Sequence, residues 1–108
     1  MSRSSTTTTR RRAALGPVHP GAVLREEFLK PLELSPYTVA RACHVPRTRI
    51  ERLAREETPV TADTALRLAR VLNTTPDFWM ALQTRYDLEA ALHAGSADFD
   101  LLSPIARR

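Results

Sequence analysis

Apolar positions recur at helical spacing along most of this chain, and no segment alternates with the period of a half-buried strand. Leu24 and Phe28 lie four apart, in a segment that opens on Pro20. Proline suits the first helical position because its missing N–H costs nothing there. A first helix is therefore predicted from about Pro20 to Leu29, stopped by Pro31. Ser35 is a good N-cap with Pro36 behind it, and Val39, Ala40 and Cys43 form the inward stripe of a second helix. The turn is His44-Val45, with His44 at the left-handed position where glycine is preferred. A third helix follows from about Pro46 to Arg55. Ile50, Leu53 and Ala54 point inward, which leaves Arg47, Thr48, Arg49 and Arg52 on a polar face.

A fourth helix spans about Thr61 to Leu72. Thr61 caps it, Asp63 favours its positive end, and Ala65, Leu68, Ala69 and Leu72 repeat at helical spacing. A fifth runs from Thr75 to about Ala94, marked by the cap Thr75, by Pro76 and by Asp77, and ended by Gly95. Within it Phe78, Trp79, Leu82 and Tyr86 make a core or dimer seam. A ligand-binding aromatic box is the weaker reading, because aromatics dominate core burial. The fold class is thus all-α, with five helices in a body at 19–94, a disordered arm at 1–18 and a tail at 95–108. The tail carries Phe99, Leu101, Leu102 and Ile105, more apolar area than a plain tail needs. It either covers a partner or sister subunit or folds back on its own body. A helical body of ~75 residues buries only ~60% of its unfolded surface. Dimerisation would add to that, and the fifth helix has the length and aromatic content for it.

Charge sharpens the picture. The formal net charge is +4 over 108 residues. Residues 20–94 carry ten Lys/Arg and ten Asp/Glu, so the excess sits in the tails, chiefly Arg3, Arg10, Arg11, Arg12, Arg107 and Arg108. Inside the balanced body, Arg41, Arg47, Arg49, Arg52 and Arg55 cluster around the third helix. A neutral body with one local basic patch suits an oriented contact with DNA. Two short helices joined by a tight turn can place the second in a major groove. Arg47, Thr48, Arg49 and Arg52 would then reach base edges or adjacent phosphates. Ser35, Tyr37 and Thr38 at the second helix's N-terminus would meet phosphate, with Arg41 and Arg55 flanking the groove. A merely solvated basic face is the competing reading of the same arginines. Arg10 to Arg12 could graze the duplex, though a solvated arm is the simpler account.

Other chemistries find little support. No run approaches the ~20 apolar residues of a membrane span, and the basic N-terminus lacks the apolar core of a secretory signal. The one cysteine, Cys43, falls on an apolar stripe and reads as a small buried hydrophobe in a reducing cytoplasm. His19, His44 and His93 lie on different elements without metal-ligand spacing. There is no nucleophile–base order with plausible geometry, no Gly-rich phosphate loop and no carboxylate cluster in an apolar setting, so an enzyme is not expected. No cofactor, metal or small-molecule substrate is expected either.

The blocks H-P-G-A-V-L-R-E-E-F-L at 19–29, L-S-P-Y-T-V-A at 34–40, V-P-R-T-R-I at 45–50, V-T-A-D-T-A-L-R-L-A-R-V-L at 60–72 and T-P-D-F-W-M-A-L-Q-T-R-Y-D-L at 75–88 occur in order and at consistent spacing. Together they resemble the HigA-type (VapI-like) antitoxins of the Xre/phage-repressor helix-turn-helix superfamily, over about residues 19–88. The resemblance implies a lambda-repressor-like five-helix fold and a homodimer that binds a palindromic operator and represses its own operon. It also implies a RelE-like, HigB-type toxin as partner, which cleaves mRNA on the ribosome and is neutralised by the antitoxin. The chain departs from the family at two places. His44 stands where the turn usually has glycine, and Arg55 is followed by Glu56 and Glu57 where the family commonly places glycine and cations. Either these carboxylates face the phosphate backbone and weaken DNA binding, or they turn away from the duplex. The alternatives are a stand-alone Xre-family regulator with no toxin partner, and an interaction-only antitoxin that has lost DNA binding.

Overall fold

The computed structural model describes residues 16–105. Five helices and no strand occur among the described residues. Helix α1 starts as Pro20–Val23 and continues without a break as a π-helical stretch, Leu24–Leu29. Then come α2 (Pro36–Cys43), α3 (Arg47–Ala54), α4 (Ala62–Leu72) and α5 (Pro76–Asp100). The all-α architecture expected from the hydrophobic period is the one observed. Most of the basic arm, including Arg10 to Arg12, lies outside the described residues.

Local chemistry starts and stops these helices. The side chains of Ser35, Thr61 and Thr75 accept the backbone N–H three residues on, at 3.1, 3.3 and 3.1 Å. Each such cap contributes about 1 kcal/mol. A fourth cap was not anticipated: His19 Nδ1 accepts Gly21 N–H at 2.9 Å. The C-termini of the first four helices share one device. His44, Glu56 and Asn73 take left-handed φ of 59°, 65° and 56°, and Glu33 does so at 53° beyond α1. The next N–H reaches back five residues each time, as in Val45 to Ala40 O (3.0 Å) and Glu57 to Arg52 O (2.9 Å). These are glycine-type helix stops built without glycine, which costs backbone strain at each site.

The core lies where all five helices meet. Leu24, Val39, Ile50, Leu53, Leu68 and Trp79 are essentially inaccessible. Trp79 anchors it, with Phe28 at 5.4 Å between ring centroids and Phe78 edge-on at 5.0 Å. Its indole N–H donates to Thr74 Oγ1 at 2.7 Å, so the buried ring leaves no polar atom unpaired. Gln83, also buried, accepts the Val60 N–H at 2.6 Å and donates to Asp87 at 2.9 Å, tying the loop before α4 to α5.

The predicted end of the fifth helix at Gly95 is corrected. Gly95 leaves helical geometry (φ −125°, ψ 22°), but helical bonding resumes and reaches Asp100. Glycine permits a stop without enforcing one. Here the Phe99 ring lies back over Gly95, about where a Cβ would touch it at 3.3 Å. The last buried residue of α5 is Gln83. Leu88, Leu92, Leu101, Leu102 and Ile105 are all exposed, so the described tail does not fold back on the body.

Candidate nucleic-acid interface

Helices α2 and α3 form a corner around the left-handed His44. Its N–H bonds back to Arg41 O at 3.2 Å while Val45 N–H reaches Ala40 O, and Val45 packs against the core. Pro46, extended at φ −61° and ψ 144°, redirects the chain into α3. The buried row Ile50, Leu53 and Ala54 fixes how α3 is rotated. Arg47, Thr48, Arg49 and Arg52 therefore face solvent, and Arg55 does so at the helix end. Ser35, Tyr37, Thr38 and Arg41 are exposed on α2. The nine predicted DNA-facing residues are all at the surface of this corner.

They are not equally free. Arg41 donates to the Tyr37 hydroxyl at 3.4 Å, and the Ser35 and Thr38 hydroxyls share a hydrogen bond of 2.9 Å. Arg47 pairs with Glu51 one turn on, at 3.2 Å. Arg49 pairs with Asp63 at the start of α4. Arg52 and Arg55 make no ion pair among the described residues. Exposed pairs of this kind contribute only ~0–1 kcal/mol each, so they do not bar these arginines from a DNA contact.

Sequence reading gave Asp63 only a role at the positive end of its helix. In three dimensions its Oδ2 accepts from both Arg49 and Arg67, the latter at 2.9 Å. Arg67 also donates to the Cys43 carbonyl at the end of α2, again at 2.9 Å. Those two guanidinium groups, Arg67 first, hold the Asp63 carboxyl below the usual carboxylate range. The i,i+4 spacing of Asp63 and Arg67 was a legible sign of their pairing; the tie to Arg49 was not.

Glu56 is taken up by a partner within the chain. Its carboxylate accepts from Arg25 at 3.0 Å, and the same guanidinium donates to the Ala54 carbonyl at the end of α3. Hydrogen bonds to Glu26 and then Glu56 raise the Arg25 pKa further. One of the two carboxylates after α3 is thus neutralised from α1. Glu57 is exposed.

Of the proposed seam, Trp79 is core, Leu82 packs against the core and Phe78 covers its edge, 38% exposed. Tyr86 is half-buried and lies edge-on to His19 at 4.8 Å. Burial, foremost, lowers the His19 pKa from its ordinary value; Glu56 and Asp87 oppose that, and Arg25 reinforces it. Burial likewise pushes the Cys43 thiol up, away from a reactive thiolate. Among the described residues no cluster of three or more His, Cys, Asp or Glu could hold a metal ion. No helix among them is long and apolar enough to cross a membrane.

Known proteins resemble this chain in sequence and in fold. A helix-turn-helix family profile matches residues 26–79. Virulence-associated protein I of Dichelobacter nodosus is 49% identical over 74 residues, 68% of each chain. Antitoxin HigA-1 of Vibrio cholerae is 36% identical over 72 residues, 67% of this chain and 68% of that one. The solved structure of Pseudomonas aeruginosa antitoxin HigA with the higBA promoter superposes with a TM-score of 0.78 at 37% identity. It covers 83% of this chain and 99% of the Pseudomonas chain.

Proposed function

The chain belongs to the Xre-type helix-turn-helix family, among its HigA-like members, and from that premise we propose that it is an operator-binding antitoxin. It binds DNA as a homodimer, represses its own operon and neutralises a RelE-like, HigB-type toxin. The observation that carries the DNA half is the surface of α3. Three arginines and a threonine stand exposed on one helix face, backed by three buried residues that fix its rotation. An arginine bidentate to guanine contributes ~1–3 kcal/mol of base discrimination. Thr38, Ser35 and Tyr37 at the start of α2 supply phosphate donors that set register. In a symmetric dimer the two α3 helices meet successive major-groove faces ~34 Å apart.

The Arg25–Glu56 pair supports DNA binding over an interaction-only role, because it takes one suspect carboxylate out of play. Arg49→Ala should weaken binding to the promoter fragment at least about tenfold with the helical signal intact, as expected for loss of one bidentate contact. An unchanged gel-shift midpoint at physiological salt would remove Arg49 from readout. The toxin half is carried by the family and by the exposed apolar residues beyond Gln83. Co-expression with the product of the adjacent gene, followed by mass measurement of the complex, tests it. Absence of any complex would leave a stand-alone regulator. Deleting residues 96–108 asks whether the tail is the anchor; full toxin retention excludes it.

A further inference from the structure

Asp63 stands against Arg49, one of the proposed DNA-contacting residues, yet carries a charge that repels phosphate. Its placement is well determined. Thr61 caps α4, Asp63 sits in the first turn, and Arg67 ties its Oδ2 to the α2 carbonyl of Cys43. That same oxygen holds the Nη1 corner of Arg49. The opposite edge of the guanidinium, Nε with Nη2, keeps donors suited to a side-on pair with guanine O6 and N7. An arginine held this way is pre-oriented, and loses less rotamer freedom on reaching a base edge. A phosphate drawn to that free edge would stand close to the Asp63 carboxylate and be repelled by it, whereas the guanine edge is neutral. The pair therefore tolerates a base edge and disfavours a phosphate at the same place.

We propose that Asp63 is a specificity-determining positioning residue: it restrains Arg49 to base readout and penalises binding through phosphates alone. This rests on the DNA-binding reading above. The penalty is local, because the other groove arginines Arg47 and Arg52 do not contact Asp63.

The test uses the full chain and two duplexes, one enriched from a random library by the wild-type protein and one of scrambled sequence. Fluorescence anisotropy over a salt series gives affinity and salt slope for wild type, Asp63→Asn, Arg49→Ala and the double variant. Asp63→Asn should bind the scrambled duplex about threefold more tightly, the scale of one exposed ion pair. Its salt slope there should steepen by about one released counterion. Affinity for the enriched duplex should not rise in step, so the ratio of the two falls. In the Arg49→Ala background, Asp63→Asn should act equally on both duplexes. Asp63→Ser, which keeps a first-turn hydroxyl, should repeat the Asp63→Asn pattern and guards against a folding defect, read by circular dichroism. An equal change on both duplexes with Arg49 present, or no change on either, overturns the role of Asp63. If the wild type enriches no duplex, the DNA-binding reading falls, and this inference with it.

Discussion

Gly21→Ala sets two physical effects of opposite sign against each other. Alanine is the better helix former by about 1 kcal/mol, so local propensity alone predicts a more stable protein. Tertiary structure predicts the reverse. A Cβ at residue 21 would lie 1.8 Å from the Leu53 carbonyl oxygen, 2.9 Å from its carbon and 3.1 Å from His19 Nδ1. Ordinary carbon–oxygen contacts begin at ~3.3 Å, so α1 would have to withdraw from α3 by about 1.5 Å. The obstacle is backbone, which no rotamer change relieves. Overpacking costs ~1–3 kcal/mol or more. A withdrawal of that size also forfeits much of the dispersion contact of Leu24, fully buried beside it. The net expectation is a loss of about 2–3 kcal/mol, or roughly 10–20 °C in Tm for a domain of this size. Urea unfolding followed by the fluorescence of Trp79, the chain's single tryptophan, reads it directly. A midpoint equal to or above wild type would refute the claim that the close approach of α1 to α3 matters, and would leave helix propensity in charge.

Further predictions follow from strain and burial. His44→Gly should stabilise the protein by ~0.5–1 kcal/mol, since relief of the left-handed strain (~1–2 kcal/mol) exceeds the extra backbone entropy of glycine (~0.5–1 kcal/mol). A lower Tm by circular dichroism would show that the imidazole makes a contact that outweighs its strain. His19, whose folded pKa is depressed, should make stability fall as pH drops below its ordinary value of 6.5, because the unfolded chain then binds a proton that the native state resists. That loss precedes a second at lower pH, which begins below the ordinary carboxylate values of 4.5 and 3.8 and runs down through the depressed ones of Glu26 and Asp63. Chemical denaturation at a series of pH values should show the slope between pH 7 and 5. His19→Asn, which keeps a capping acceptor, should flatten it; an unchanged slope would assign the effect elsewhere.

Much of the framework was legible because its causes are local. Ser35, Thr61 and Thr75 act on N–H groups three residues away, and proline at the first helical position acts on its own backbone. The apolar period that buries Val39, Ile50 and Leu68 is written in steps of three and four. Gly95 misled for a related reason: it marks a place where a helix can stop, while the contact with Phe99 accompanies its continuation. The glycine-free helix ends were half visible. His44 was placed at a left-handed position, but Glu33 and Glu56 carry no compositional sign of one.

From the amino-acid order alone came five helices, a two-helix corner and the outward arginines of the second of them. Only tertiary structure decided how those arginines are held. Arg49 meets Asp63 across 14 positions of chain, Arg25 meets Glu56 across 31, and Gly21 meets Leu53 by backbone contact. Helical periodicity assigns a residue to a face, but whether two charges on different helices touch depends on the packing distance and rotation of both. Those are set jointly by the whole buried core, so no single stretch of sequence encodes them.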